Sequence, residues 1–143
     1  MASERLVIDA SYVLEAILPT SRQWQSEAFD LMDRIATRDI DARVPWIFFA
    51  EVASVVTRAA RGKRIDLQDA VEFMQRVDSL GMHVDLTIEQ SYGLHSAAEH
   101  WGSGVYDAIY IDCAKRMAVP VATRDKGMIA AVGRASVPIF AAR

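Results

Sequence analysis

Short apolar runs that each give way to a helical pattern govern what this chain can fold into. Leu6–Ile8 reads as a strand ending at Asp9. Ser11 is expected to cap a helix through about Leu18, stopped by Pro19. Ser21 opens a longer helix with Trp24, Ala28, Leu31 and Ile35 at helical spacing. Ala42–Val44 reads as a strand, and Pro45 as the start of an apolar helix from Trp46 to Arg61, ended by Gly62. Asp66 caps the next helix, with Leu67, Val71, Met74 and Val77 as its buried stripe. Met82–Asp85 is a strand and Ile88–Trp101 a helix. After the Gly102-Ser103-Gly104 break, Val105–Met117 is a helix. Val119–Thr123 is a strand, Lys126–Val132 a short helix and Val137–Phe140 a last strand. Strands alternating with helices predict an α/β fold around a parallel sheet covered on both faces.

With 143 residues, 52% apolar and 24% charged, the chain reads as one globular domain over residues 1–143. There is no repeat, low-complexity tract or linker. No apolar run approaches the roughly 20 residues of a membrane helix. The opening MASERLVIDAS shows no secretory pattern, so cytoplasm is the expected compartment. The single Cys113 excludes an intrachain disulfide and a zinc site built mainly on cysteines. A net charge of −3 argues against a generic DNA coater.

The informative residues are acidic. In parallel α/β sheets, ligands sit beyond the carboxyl ends of the strands. Asp9 ends the first strand, Asp125 follows Val119–Thr123, and Asp107 lies in the first turn of a helix after a glycine break. All three can reach one sheet edge. Taken singly, each has an ordinary explanation: Asp9 and Asp125 as helix caps, Asp107 as a complement to a helix dipole. Glu51 is harder to explain that way. Its neighbours on the helix face are Ile47, Phe48, Ser54 and Val55, with no Lys or Arg among them. An ionised carboxylate in such company is costly unless something neutralises it. A cation from outside or a long-range ion pair meets that need; a Glu snorkelling from the edge of the buried stripe is the alternative.

Four carboxylates without His or Cys partners select a hard, oxygen-loving ion, Mg²⁺ or Mn²⁺ rather than Zn²⁺. Such ions orient phosphates and lower the pKa of water for attack. Ser11 and Thr123 stand two residues from Asp9 and Asp125 and are placed to add hydroxyl contacts, or to act as plain cap and strand residues.

These residues resemble the PIN domain family. Leu6-Val7-Ile8-Asp9-Ala10-Ser11 is similar to the family's opening, and Phe49-Ala50-Glu51-Val52 resembles its second motif. Val105-Tyr106-Asp107-Ala108-Ile109-Tyr110 resembles the Tyr-Asp-Ala motif, and Thr123-Arg124-Asp125-Lys126 the Thr-x-Asp motif. The motifs stand in order from about Leu6 to Phe140. The resemblance implies a three-layer α/β/α sandwich with a central, mainly parallel sheet, and a Mg²⁺- or Mn²⁺-dependent endoribonuclease. Small stand-alone members are most often VapC-type toxins, commonly homodimeric and neutralised by a VapB-type antitoxin. By motif, Asp9, Glu51, Asp107 and Asp125 take the catalytic and metal-binding roles, with Ser11 and Thr123 as auxiliaries.

Arg58, Arg61, Lys63 and Arg64 form the strongest local positive charge, directly after the helix of Glu51. They read either as RNA contacts or as a solvated helix end. Arg124 and Lys126 flank Asp125 and can meet phosphate or pair locally. Asp112, with Lys115 and Arg116 following at helical spacing, reads as a surface ion pair. His83, His95 and His100 lack metal-ligand spacing and read as structural, and Cys113 as an inert buried thiol. Trp46, Phe48 and Phe49 are more than one helix face needs; they are expected in the core, with a partner surface as the alternative. Two other functions compete with the nuclease: a PIN-like domain that binds RNA or protein without cutting, and a receiver-type phosphoacceptor domain. The receiver lacks support, because Ala10 and Ser11 stand where its acidic pair belongs.

Overall fold

The computed structural model describes residues 2–142. Four strands form one sheet in the order β3-β2-β1-β4: β1 (Glu4–Ile8), β2 (Ile40–Pro45), β3 (His83–Asp85) and β4 (Val121–Ala122). Every pairing is parallel. Seven helices cover it: α1 (Ala10–Leu14), α2 (Arg22–Ala36), α3 (Phe48–Arg61), α4 (Leu67–Ser79), α5 (Ser91–Trp101), α6 (Val105–Met117) and α7 (Lys126–Arg134). Helix α6 lies on β1 and β2 with α5 and α7 beside it, while α2 packs on β2 in the layer it shares with α1, α3 and α4. This is the expected three-layer sandwich.

The core runs through the sheet. Leu6, Val7, Ile8, Val44 and Val121 of the sheet are fully buried, as are Leu31, Phe48 and Ile111 on the covering helices. Burying a side chain of this size contributes about 1.5–3 kcal/mol. Cys113 lies in the same core, where burial pushes its thiol up to about 12. Among the described residues, no helix is long and apolar enough to cross a membrane.

Several boundaries differ from the sequence expectation, each for a local reason. Pro45 closes β2, pairing with Asp85, instead of opening a helix. A proline at a strand end removes only a donor the ladder no longer uses. Helix α3 consequently starts at Phe48, and Trp46 sits in the preceding turn, 41% exposed rather than in the core. Asp85 Oδ1 accepts from Thr87 N at 3.1 Å, which turns the chain and delays α5 to Ser91. Ile88 is left exposed. The buried stripe of α4 is Ala70, Phe73 and Val77, so Leu67 and Val71 face outward. Both sets fit a helical period, and tertiary packing selects the one that buries the large Phe73 ring.

The last two strands shrink for want of donors. Pro120 and Pro138 have no N–H. β4 is reduced to Val121–Ala122, and the expected final strand to a single parallel bridge between Val121 and Ile139.

The topology fixes where a ligand sits. The chain lays β2 and β3 to one side of β1, then returns to place β4 on the other. The gap beyond the carboxyl ends of β1 and β4 is therefore the switch point where such sheets bind ligands.

Candidate functional site

Asp9 leaves β1 at that switch point. It sits at the N-cap position of α1 but makes no side-chain cap bond. Its Oδ2 instead accepts from Ser11 Oγ at 2.5 Å and from Thr123 Oγ1 at 2.8 Å. Each hydroxyl has one proton, and both are directed to the same oxygen. The hydroxyls are oriented in turn by backbone amides: Arg124 N donates to Ser11 Oγ at 2.9 Å, and Asp125 N to Thr123 Oγ1 at 3.1 Å. Ser11 therefore does not cap α1, as the sequence suggests it might. Asp9 and Thr123 are both buried, at 6% and 4% exposure.

The other three acids also stand at helix starts. Glu51 is in the first turn of α3 and Asp107 in the first turn of α6. Asp125 caps α7, its Oδ1 accepting from Met128 N at 2.7 Å. A Cβ at Gly127 would stand 3.1 Å from that oxygen, so the glycine keeps the cap unobstructed. Helix N-termini favour negative charge by about 0.3–1 kcal/mol each. The fold thus uses four helix starts to gather four carboxylates.

Their charges act on one another. Burial raises the Asp9 carboxyl above the usual range, and the charge of Asp125 adds to it, against the two hydroxyl bonds. Burial also raises Glu51, with Asp9 and Asp107 adding repulsion. Asp107 is pushed up to about 6 by burial, then by Asp125 and Asp9. Among the described residues no cation opposes this: every charged neighbour that shifts these three acids is another carboxylate. The donor set fits a hard divalent cation. No three His, Cys, Asp or Glu side chains among the described residues close into a ready-made cage.

One partner of this centre was not evident in the sequence. Tyr110 Oη donates to Glu51 Oε1 at 2.7 Å. Tyr110 is fully buried, and burial together with the charge of Glu51 raises its phenol far above normal. Its spacing of three from Asp107 on α6 puts both on one helix face, the signal that could have found it.

The basic run separates in space. Arg58 lines an open cleft of about 390 Å³ together with Trp46, Ala50, Glu51, Ser54 and Tyr106. Arg61 instead faces the groove between α3 and α4, beside Thr57, Leu67 and Met74. Lys63 and Arg64 are exposed just past α3. None of these four forms a salt bridge among the described residues. Arg124 is engaged within the protein. It forms an ion pair with Glu27, and its guanidinium carbon lies 4.4 Å from the Tyr12 ring centroid and 4.9 Å from that of Trp24. Arg116 pairs with Asp112 at 2.7 Å, as the spacing predicts, and also with Asp85. The latter holds Asp85 down at about 2 despite burial.

A parallel α/β sandwich with carboxylates gathered at its switch point is a class of protein suited to cation and phosphate chemistry. The sequence matches the PIN domain family over residues 6–134, and the chain belongs to that family, whose members are generally nucleases. Solved structures with the same fold include PAE2754 from Pyrobaculum aerophilum, with TM-score 0.67, 24% identity, and 92% of this chain matched to 81% of that one. FitAcB from Neisseria gonorrhoeae is similar at TM-score 0.59 and 17% identity, over 95% of this chain and 96% of that one. No match is found among curated proteins.

Proposed function

We propose that this protein is a Mg²⁺- or Mn²⁺-dependent endoribonuclease and the toxin of a VapBC-type toxin–antitoxin pair. The observation that carries the nuclease reading is the acidic centre itself. Asp9, Glu51 and Asp107 are raised by burial and by neighbouring carboxylates, Asp125 included, and among the described residues no cation offsets them. A protein keeps such repulsion where a function needs it. The toxin role, a VapB-type antitoxin, a homodimer and a cytoplasmic location are supported by the likeness to small stand-alone PIN domains.

Asp9, Glu51, Asp107 and Asp125 would hold the ion. When bound, it supplies Lewis acidity, orienting the scissile phosphate and easing deprotonation of the attacking water. Ser11 and Thr123 act through Asp9. By donating to Oδ2 they fix its rotamer and favour its ionised form, the form that can ligate. Tyr110 does the same for Glu51 through Oε1. Asp107, at about 6, is ionised at neutral pH and available as a ligand. Arg58 supplies positive charge in the cleft that contains Glu51, where an RNA backbone would pass. Arg61, Lys63 and Arg64 extend that charge beyond α3, and Arg124 bears on the site through its backbone bond to Ser11.

Purified protein incubated with RNA tests the reading. Cleavage is expected with Mg²⁺ or Mn²⁺, none with EDTA, and none from Asp9→Asn or Asp107→Asn at unchanged fold. Cleavage retained in both variants would sink it. No cleavage at all in a folded, partner-free preparation, over RNA extracted from cells, would favour the non-cutting binding domain.

A further inference from the structure

The side chain of Arg124 is held more firmly than its place in a loop requires. The residue follows β4, between Thr123 and Asp125 of the acidic centre. Its guanidinium lies over the ring of Tyr12 from α1 and that of Trp24 from α2, and pairs with Glu27, one turn beyond Trp24. Glu27 is fixed in turn. It also accepts from Gln23 Nε2 at 3.0 Å, and the bonds from Gln23 and Arg124 hold its carboxyl below the usual range. Both members of the pair are mostly buried, unlike the loose pairs of a protein surface. Arg124 Nε is buried with no partner among the described residues. An unpaired buried donor is unfavourable, so bonding alone does not account for this placement.

The backbone of the same residue touches the centre. Arg124 N donates to Ser11 Oγ at 2.9 Å, and Ser11 Oγ donates to Asp9 Oδ2 at 2.5 Å. The amide fills an acceptor position of the hydroxyl and leaves its single proton for Asp9. A planar group stacked on two rings and paired with a carboxylate has little freedom, and a side chain so fixed restrains its own backbone. Arg124 is not among the charges that shift Asp9, Glu51 or Asp107. Its link to the carboxylates runs through the amide.

Resting on the nuclease reading, we infer that Trp24 and Glu27 are positioning residues: they bracket the Arg124 side chain so that its amide orients Ser11, and through Ser11 the ligand oxygen of Asp9. Helix α2 supplies none of the four carboxylates, yet it sets the geometry of one of them. A phosphate contact through the Arg124 guanidinium would need that group free, whereas Glu27 already pairs with it.

Two measurements test this, the first without metal. Exchange of the Arg124 amide proton with solvent is followed by NMR in the metal-free protein. Glu27→Ala is expected to speed it about fivefold or more, while the amides of Val7 and Asp9, bonded to Pro120 O and Ala122 O, keep the parent rate. Glu27→Gln keeps an acceptor for the guanidinium and is expected to stay within about twofold of the parent. The second measurement is calorimetric titration with Mn²⁺. Glu27→Ala and Trp24→Leu are each expected to weaken binding about three- to tenfold, less than the roughly 10–100-fold typical of a group bonded directly to a ligand. In a Ser11→Ala background the same substitutions are expected to change Mn²⁺ affinity by less than about twofold, because the route through Ser11 is already cut. A merely structural bracket would weaken binding equally in both backgrounds.

The inference is overturned if the Arg124 amide is unaffected by Glu27→Ala, or if Val7 and Asp9 exchange faster to the same extent. It is also overturned if Gln at position 27 behaves like Ala, if Mn²⁺ binding is unchanged, or if the loss is undiminished without Ser11. If the parent cuts RNA with metal while any of these holds, the nuclease reading stands and the bracket alone fails. If the parent binds no Mn²⁺, the nuclease reading falls, and the amide rates alone decide whether the bracket holds Ser11 in place.

Discussion

Thr123 Oγ1 donates to Asp9 Oδ2 at 2.8 Å, joining the loop after β4 to the end of the neighbouring strand β1. The bond ties the two sides of the switch point through a buried carboxylate. Thr123→Val keeps the shape and removes the donor. It is expected to cost about 1–3 kcal/mol of unfolding free energy, measured by denaturant titration. It also removes a bond that favours ionised Asp9, so the acid limb of the pH–rate profile should move to higher pH. Thr123→Ser should restore both. A Val variant with an unchanged pH profile would make Thr123 merely structural.

Tyr110→Phe deletes one oxygen from a fully buried ring and leaves Glu51 Oε1 without its donor. The expected loss is again about 1–3 kcal/mol. Mn²⁺ affinity should fall as well, because Glu51 is no longer held in one rotamer. Calorimetric titration with Mn²⁺ checks this, and unaltered affinity would remove Tyr110 from the site.

The crowding of carboxylates has a pH signature in the metal-free protein. Asp107 carries a folded value of about 6 against an ordinary 3.8. Between those values the folded state holds more protons than the unfolded chain, so stability falls as pH rises through the window. Asp9 and Glu51, also raised, act in the same direction. In EDTA, Asp107→Asn should therefore unfold at a higher temperature than the parent above pH 6, with the gap closing toward pH 4. A gap independent of pH would contradict the repulsion.

Arg124 separates packing from phosphate contact. Its ring contacts and its pair with Glu27 predict that Arg124→Ala loses about 2 kcal/mol of stability. Arg124→Lys, which keeps the charge but not the planar stack, should lose nearly as much. Weaker RNA binding with undiminished stability would instead make Arg124 a phosphate contact.

The sequence was most legible where local chemistry acts alone. The strand before Asp9, the cap at Ser21, the cap at Asp66 and the whole of Val105–Met117 agree with the structure. Glu51 stood out because its helix neighbours offered no counter-charge, and among the described residues the charges that shift it are again carboxylates. What the sequence concealed depends on contacts between distant segments. Pro45 is helix-starting chemistry by itself, yet pairing with Asp85 makes it a strand end. The stripe of α4 is set by which face meets the core. Ser11 and Thr123 are 112 positions apart, and only the neighbouring placement of β1 and β4 sends both hydroxyls to one oxygen. Arg58 and Arg61 look like one basic run but line different grooves, because Arg61 meets the side of α4 while Arg58 lies on the side of α3 toward Trp46 and Tyr106.

The central claim is that the gathered carboxylates await a divalent cation, and Mn²⁺ binding tests it most directly. Calorimetry on the metal-free protein at pH 7.5, with Asp107→Asn alongside, would be decisive. The account predicts saturable Mn²⁺ binding by the parent, accompanied by a rise in unfolding temperature. It predicts that Asp107→Asn loses both while being the more stable protein without metal. Equal binding by the two proteins, or none by either, would contradict the account.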